Sequence, residues 1–223
     1  RSEEDDARAR AADPGGAISL RLRTRDAAVV DVVLDSSRPT GLAQRRFAGR
    51  PVDGMLQMLP LVFSVCATAQ ASAAVQACEA AVGVTIDPLH RQARDLLVAV
   101  ETAREHLLRI LTGWGGWLRT PPDKPALATL GRLRAAWGRA LYPAGDAFRC
   151  GGGRLQPDSA ALHALAAELE GLVGRVLGLS PADLAAMAET SSFEAWVHGG
   201  DALAQRMLAS VLADGQASLG AVA

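Results

Sequence analysis

The sequence predicts a mainly α-helical protein with a small β-hairpin near its N-terminus. Apolar and polar residues alternate over residues 18–23 and a largely apolar run follows over residues 29–34, which is typical of a hairpin with one face in water. After residue 54, Ala and Leu recur at helical spacing between Gly and Pro residues that end helices. We therefore expect a single domain over residues 17–223. The charged segment before it, residues 1–16, can bury little apolar surface and should be disordered or frayed.

Residues 17–54 are expected to contain the hairpin and a loop. Apolar residues occupy every second position over residues 18–22, and a largely apolar run, residues 29–34, follows the short connection Arg25-Asp26. These two segments predict two antiparallel strands. Residues 36–54 are basic and interrupted by Gly and Pro, so we expect a loop with room for one helical turn.

Residues 55–223 are expected to be helical. The periodicity predicts helices over residues 55–82, 89–111, 127–141, 160–177 and 193–212, with a short helix after Ser180. Pro60 should break or kink the first of them. In the second helix, Val100 and Leu107 follow the apolar period, so Glu101 should face water.

The charge of the chain excludes a general attraction to nucleic acid or acidic membranes. Lys plus Arg number 23 and Asp plus Glu number 24, which leaves a formal net charge of -1. The uncharged stretch between Asp53 and Glu79 is long enough to cross a bilayer, but it contains amides, hydroxyls and a proline that are costly in lipid. We interpret it as a core helix without membrane insertion. The three cysteines and the lack of an apolar signal segment favour the cytoplasm.

The cysteines and histidines do not form a metal-binding pattern by spacing. Cys66 and Cys78 are twelve residues apart, about 18 Å along one helix, so they cannot share a metal ion. Cys78 is interpreted as a small buried apolar residue. Cys150 precedes three glycines whose backbone could approach a ligand, although a loop cysteine without a function fits equally well. The histidines include no pair four residues apart, and no catalytic triad or nucleotide-binding loop is found.

One part of the chain has a recognisable order of motifs. Gly49-Arg50-Pro51 is followed by residues 61–70, with Cys66 inside them, by Ala77-Cys78-Glu79 and by Glu105-His106. This order resembles the N-terminal part of nickel-iron hydrogenase large subunits. That family has a Gly-Arg-x-Pro loop, then Arg-Ile-Cys-Gly-x-Cys, a His four residues later, an Ala-x-Glu and an Asp-His-x-x-His. The resemblance covers roughly residues 17–112.

The departures from that family concern the metal ligands. Phe63 stands at the first cysteine and only Cys66, at the bridging position, remains. Gln70 stands at the histidine, Leu61 at the arginine before the cysteines, and Gln44 near an upstream glutamate linked to proton transfer. The family's second cysteine pair has no counterpart. Because one thiolate cannot hold a binuclear centre, the resemblance implies no complete nickel-iron centre and no enzyme activity.

A retained scaffold with lost ligands resembles the hydrogenase expression and formation proteins of the HupK/HoxV type, which are degenerate paralogues of the large subunit. The resemblance implies a non-enzymatic scaffold or chaperone for metal cofactor assembly. It would carry the iron fragment with its cyanide and carbon monoxide ligands, with Cys66 as candidate iron ligand and Gln70 beside it. Its partners would be other hydrogenase maturation proteins and a hydrogenase subunit.

Two alternatives remain open at this point. The chain could be a metal-free structural or regulatory paralogue that acts by protein–protein interaction, in which case Cys66 is a core cysteine and Gln70 bonds to a neighbouring helix. The chain could also be part of a longer protein with further cysteines downstream, because it opens at Arg1 without a methionine.

Overall fold

The computed structural model describes residues 16–37 and 41–219, apart from the side chains of residues 42–44. The chain divides into two compact units, one that ends at Pro51 and one that begins at Val52. This boundary is close to the passage from loop to helices predicted at residue 54. That both units belong to one domain stays a prediction, and the expected disorder of residues 1–15 lies outside the described residues.

The first unit contains the predicted hairpin. Strand β1, Ile18–Arg25, pairs antiparallel with strand β2, Ala28–Ser36. The two residues between them, Asp26 and Ala27, have φ angles of 51° and 62°, as a two-residue turn requires to match the twist of the strands. The hairpin prediction is therefore confirmed.

The two faces of the hairpin differ in chemistry. One face carries ion pairs, from Arg21 to Asp35 at 2.6 Å and from Arg23 to Asp31 at 3.2 Å. The other face is apolar, with the cross-strand pairs Leu20–Leu34 and Leu22–Val32. Cross-strand pairs of these kinds stabilise a sheet by about 0.2–1 kcal/mol each. The unit also contains the short helix α1, Leu42–Phe47.

The second unit is helical, as the sequence predicts. Its helices are α2 Val52–Val62, α3 Ala67–Ala81, α4 Pro88–Arg109, α5 Gly115–Trp117, α6 Lys124–Leu141, α7 Ser159–Leu177, α8 Pro181–Ala186, α9 Thr190–His198 and α10 Leu203–Ala213. A π-helical turn, Ile110–Trp114, joins α4 to α5, and a 3-10 turn, Gln216–Ser218, follows α10. The mainly α class is confirmed.

Two of the predicted helices are divided. The first is interrupted after Val62 rather than at Pro60, which lies inside α2. The last is interrupted near Gly199, where the side chain of Gln205 accepts from the N–H of Ala202 at 3.0 Å and donates to the carbonyl of Trp196 at 2.7 Å. The second interruption depends on the hydrogen bonds of one side chain, Gln205, which the apolar period does not reveal.

The largest core lies where α4, α6 and α7 pack together. Aspartates cap the N-termini of these helices: Asp87 accepts from Leu89 N, Asp123 from Ala126 N and Asp158 from Ala161 N, at 2.8 to 3.0 Å. The buried apolar side chains include Leu97, Val100, Leu107, Leu130, Leu133, Leu172 and Val176. Within the described part of the chain, every helix is too short or too polar to traverse a lipid bilayer.

Candidate functional site

The two residues predicted to form a site lie together at the start of α3. Cys66 occupies the N-cap position of this helix and its side chain is half-buried. Gln70 is one turn further on, is exposed, and its amide Nε2 lies 3.9 Å from the Cys66 sulfur. The arrangement offers one thiol and one amide donor at the protein surface.

A buried carboxylate binds the backbone of the same helix end. Glu101 of α4 accepts from the N–H of Thr68 at 2.8 Å and from the N–H of Ala69 at 2.9 Å, and it is only 3% exposed. The prediction that Glu101 faces water is therefore wrong. The first N–H groups of a helix lack acceptors within the helix, and a negative charge there is favourable, so this position can hold the carboxylate away from water.

The carboxylate determines what a ligand at Cys66 would contact. Because Glu101 already accepts from two amides of the first turn, these amides are not free to bind an anion. Arg134 lies 3.7 Å from Glu101 and is 47% exposed, so it reduces the negative charge from the solvent side. A ligand at Cys66 would depend on the thiolate, on the Gln70 amide and on nearby apolar surface.

A cleft of about 370 Å³ opens beside the first turn of α3. Ala67 and Thr68, which follow Cys66 directly, contribute to its wall. Other residues of the wall are mostly apolar and include Pro60, Ala71, Leu97, Tyr142, Ala147 and Phe148. An adjoining cleft of about 520 Å³ shares part of this wall and includes Asp53 and Arg149. A small ligand next to Cys66 would thus have a largely apolar hollow nearby.

The other end of α3 contains a buried ion pair. Arg94 Nη1 lies 3.0 Å from both carboxylate oxygens of Glu79, and the side chains are 1% and 5% exposed. The remaining donors of Arg94 bind a loop, with Nε donating to the Ala147 carbonyl and Nη2 to the Arg149 carbonyl, both at 2.8 Å. Glu79 also accepts from Gly151 N at 3.0 Å. The pair fixes the loop that lines both clefts.

The other two cysteines lie at this second end. Cys78 precedes Glu79 in α3, and Cys150 lies between Arg149 and Gly151. Cys78 was predicted to be a small buried apolar residue, and the structure leaves it half-buried. Burial raises the pKa of the Cys78 thiol, and the charges of Cys150 and Glu79 raise it further.

The charged residues of α4 are what the sequence interpretation missed. Arg94 and Glu101 are three before and four after Leu97, so all lie on one buried helix face. A charge in register with apolar core positions is a signal for a buried pair or cap. Among the described residues, no group of three or more His, Cys, Asp or Glu could hold a metal ion.

The chain is similar to two hydrogenase accessory proteins. It is 32% identical over 156 residues to the hydrogenase expression/formation protein HupK of Azotobacter vinelandii, which covers 70% of this chain and 45% of that protein. It is 35% identical over 99 residues to the hydrogenase expression/formation protein HupV of Azotobacter chroococcum mcd 1, which covers 44% of this chain and 29% of that protein. The matched region is less than half of either relative. The predicted resemblance to these maturation proteins is confirmed. No family model and no solved structure matches the chain.

Proposed function

We propose that this chain is a non-enzymatic assembly scaffold in nickel-iron hydrogenase maturation and that it carries the iron–cyanide–carbonyl fragment transiently on Cys66. The similarity to HupK and HupV supports a role in hydrogenase formation. The observation that carries the site assignment is the Cys66 thiol at the start of α3 with the Gln70 amide 3.9 Å away. This role places the chain in the cytoplasm, with other maturation proteins and a hydrogenase subunit as partners.

The chemistry of the two side chains suits such a cargo. A thiolate is a soft ligand that binds iron, and the Gln70 amide can donate a hydrogen bond to the nitrogen of a cyanide ligand. The apolar cleft beside Ala67 could exclude water from a bound carbonyl. A single protein ligand holds the fragment weakly, which suits a carrier that must release it.

The test is infrared spectroscopy of protein purified anaerobically from a host with the maturation machinery. We expect cyanide and carbonyl stretching bands together with bound iron in the unaltered protein, and their loss in Cys66→Ala. Cys78→Ala is the matched control and should retain them, because Cys78 lies at the far end of α3. Bands that persist in Cys66→Ala would contradict the assignment of Cys66 as the iron ligand.

A metal-free interaction protein is the second candidate, and one observation favours it. Leu61 and Val65, just before Cys66, are 82% and 63% exposed, which is apolar surface suited to a partner protein. On this alternative, Leu61→Asp would abolish hydrogenase maturation in cells while Cys66→Ala would leave it unchanged. The carrier proposal expects Cys66→Ala to abolish maturation.

A further inference from the structure

Hydrogen bonds on both sides of Cys150 tie its loop to the ion pair of Glu79 and Arg94. Glu79 directly follows Cys78 in α3. Gly151 N, directly after Cys150, donates to the Glu79 carboxylate at 3.0 Å. The Arg149 carbonyl, directly before Cys150, accepts from Arg94 at 2.8 Å, and Arg94 is the buried ion-pair partner of Glu79. The chain segments that carry Cys78 and Cys150 are therefore joined at one junction, although they are far apart in the sequence.

The loop lies close against the end of α3 and the start of α4. A Cβ atom added to Gly151 would be 3.8 Å from Val84, and one added to Gly152 would be 3.3 Å from the imidazole of His90. Both glycines have positive φ angles, 82° and 94°, that other residues rarely adopt. Cys78 and Cys150 are both half-buried free thiols, so a small oxidant can reach them.

The charge of Cys150 is one of the causes that raise the pKa of Cys78, after burial. Two thiolates disfavour each other only when they are near, so this effect agrees with the hydrogen-bonded junction. No third ligand for a metal ion is available, because the described residues contain no group of three His, Cys, Asp or Glu. Paired thiols without a further ligand are suited to disulfide chemistry.

We propose that Cys78 and Cys150 are a redox-active thiol pair that closes to an intramolecular disulfide. The oxidant is a low-molecular-weight disulfide. The thiolate of one cysteine attacks one of its sulfur atoms, the S–S bond breaks, and a small thiolate leaves. The second cysteine, as thiolate, attacks the resulting mixed disulfide and expels the other small thiolate. The protein loses two electrons and two protons, and the small disulfide becomes two thiols.

The bond would affect the cleft that adjoins the one beside Cys66. Cys150 continues from the loop that contains Gly145, Asp146 and Arg149, and these residues line the adjoining cleft. A disulfide to Cys78 would tie this loop covalently to α3, in addition to the Glu79–Arg94 pair. The redox state of the pair would then set how firmly the cleft wall is held. This inference does not depend on iron binding at Cys66.

The test is equilibration of the reduced full chain with oxidised glutathione, followed by alkylation and intact mass. We expect a monomer lighter by two hydrogen atoms, a single alkylated cysteine, and a peptide map that links Cys78 to Cys150. The Cys66→Ser variant should form the same disulfide and carry no alkylated cysteine. Cys78→Ser and Cys150→Ser should each stop at a glutathione adduct on the remaining partner.

Other results would overturn the proposal. Three alkylated cysteines in the oxidised sample would show that the pair does not close, and a linkage that includes Cys66 would assign the chemistry elsewhere. A disulfide found only between two copies of the chain would also contradict it. The peptide map uses the unaltered protein, so it decides the matter even if a serine variant fails to fold.

Discussion

Charged side chains of α4 bind both ends of helix α3, but the two ends differ in what these charges hold in place. At the first end, Glu101 binds the backbone amides and leaves the Cys66 thiol at the surface beside Gln70. At the second end, Glu79 and Arg94 bind each other and the following loop in the interior. The comparison teaches that the charges of the second end bind each other and hold a loop, whereas the charge of the first end binds only the start of α3 and has no buried counter-charge.

The signs of the two α4 charges, on Glu101 and Arg94, agree with the dipole of helix α3. Glu101 is at the positive, N-terminal end of α3, and Arg94 is near its negative, C-terminal end. On α4 the two residues are two turns apart on one face, about 10 Å along the axis. One face of α4 thus provides opposite charges to the two ends of its neighbour.

The largest effect should come from the buried pair at the second end. Glu79→Gln leaves the Arg94 charge buried without a counter-charge, and we expect it to lower the free energy of unfolding by about 3–5 kcal/mol. Urea denaturation measures this loss. The control is Arg132→Ala, which removes an ion pair with Glu168 whose arginine side chain is 55% exposed, and it should cost at most about 1 kcal/mol. Equal losses of unfolding free energy in the two variants would contradict the expectation that the buried ion pair matters more than the exposed one.

A smaller effect should come from the carboxylate at the first end. Glu101→Gln keeps one acceptor oxygen but presents an amide group to the second backbone N–H, so one hydrogen bond and the charge are lost. We expect a loss of about 2 kcal/mol in the free energy of unfolding. It is smaller than for Glu79→Gln because the cation nearby, Arg134, is half-exposed and remains solvated.

The same denaturation measurement tests the Glu101 effect, with the exposed Glu170→Gln as control. That control should change stability by less than about 0.5 kcal/mol. A Glu101→Gln variant as stable as Glu170→Gln would show that the carboxylate is not needed to start α3.

The loop at the second end should make a pH-dependent contribution to the stability of the fold. Burial alone would raise the pKa of Asp146, but hydrogen bonds and charge from Arg154 outweigh it and hold the pKa below its ordinary value. A lowered folded-state pKa stabilises the protein above the unfolded pKa, and this stability is lost as pH falls through the folded pKa. Arg154→Ala should therefore cost about 0.5–1 kcal/mol at pH 7, with a difference that fades below about pH 4.

Thermal unfolding of Arg154→Ala and the unaltered protein across this pH range provides the measurement. The control is Arg175→Ala, which removes an exposed cation that has no ion pair among the described residues. Its effect on the unfolding temperature should not fade below about pH 4. A difference in unfolding temperature between Arg154→Ala and the unaltered protein that grows as pH falls would contradict a stabilising interaction of Arg154 with ionised Asp146.

The smallest effect on stability is expected at Cys66 itself. The half-buried thiol makes one weak contact, with Gln70, so Cys66→Ala should change the free energy of unfolding by no more than about 0.5 kcal/mol. Urea denaturation of this variant beside Cys78→Ala checks it. A loss of several kcal/mol would mean that Cys66 is a structural core residue, as the plain interpretation of its sequence context holds.

Local sequence signals predicted much of the fold. The alternation over residues 18–23 and the apolar run over residues 29–34 predicted the hairpin, and an aspartate cap, Asp158, begins α7. These features depend on neighbours within a few residues, since strand alternation and helix capping are short-range effects. The closeness of Gln70 to Cys66 was also predicted, because helical geometry places residues four apart on one face. That the two residues form a binding site stays a prediction.

Other features depend on residues distant in the chain. A break near Pro60 was predicted but its place after Val62 was not, because Glu101 from α4 binds the N–H groups of Thr68 and Ala69 at the start of α3. The placement of Glu101 in water was wrong for the same reason. A periodicity analysis assigns a charge to the solvent and cannot show that a helix end needs it.

The sequence by itself determined the class of fold, the hairpin, the resemblance to maturation proteins and the pairing of Cys66 with Gln70. Only the tertiary structure decided that Arg94 and Glu101 are buried and that the segments carrying Cys78 and Cys150 are joined through Glu79 and Arg94. The physical reason is that burying a charge is favourable only where specific partners compensate for lost hydration. Those partners come from other helices and loops, and they come into contact only when the chain folds.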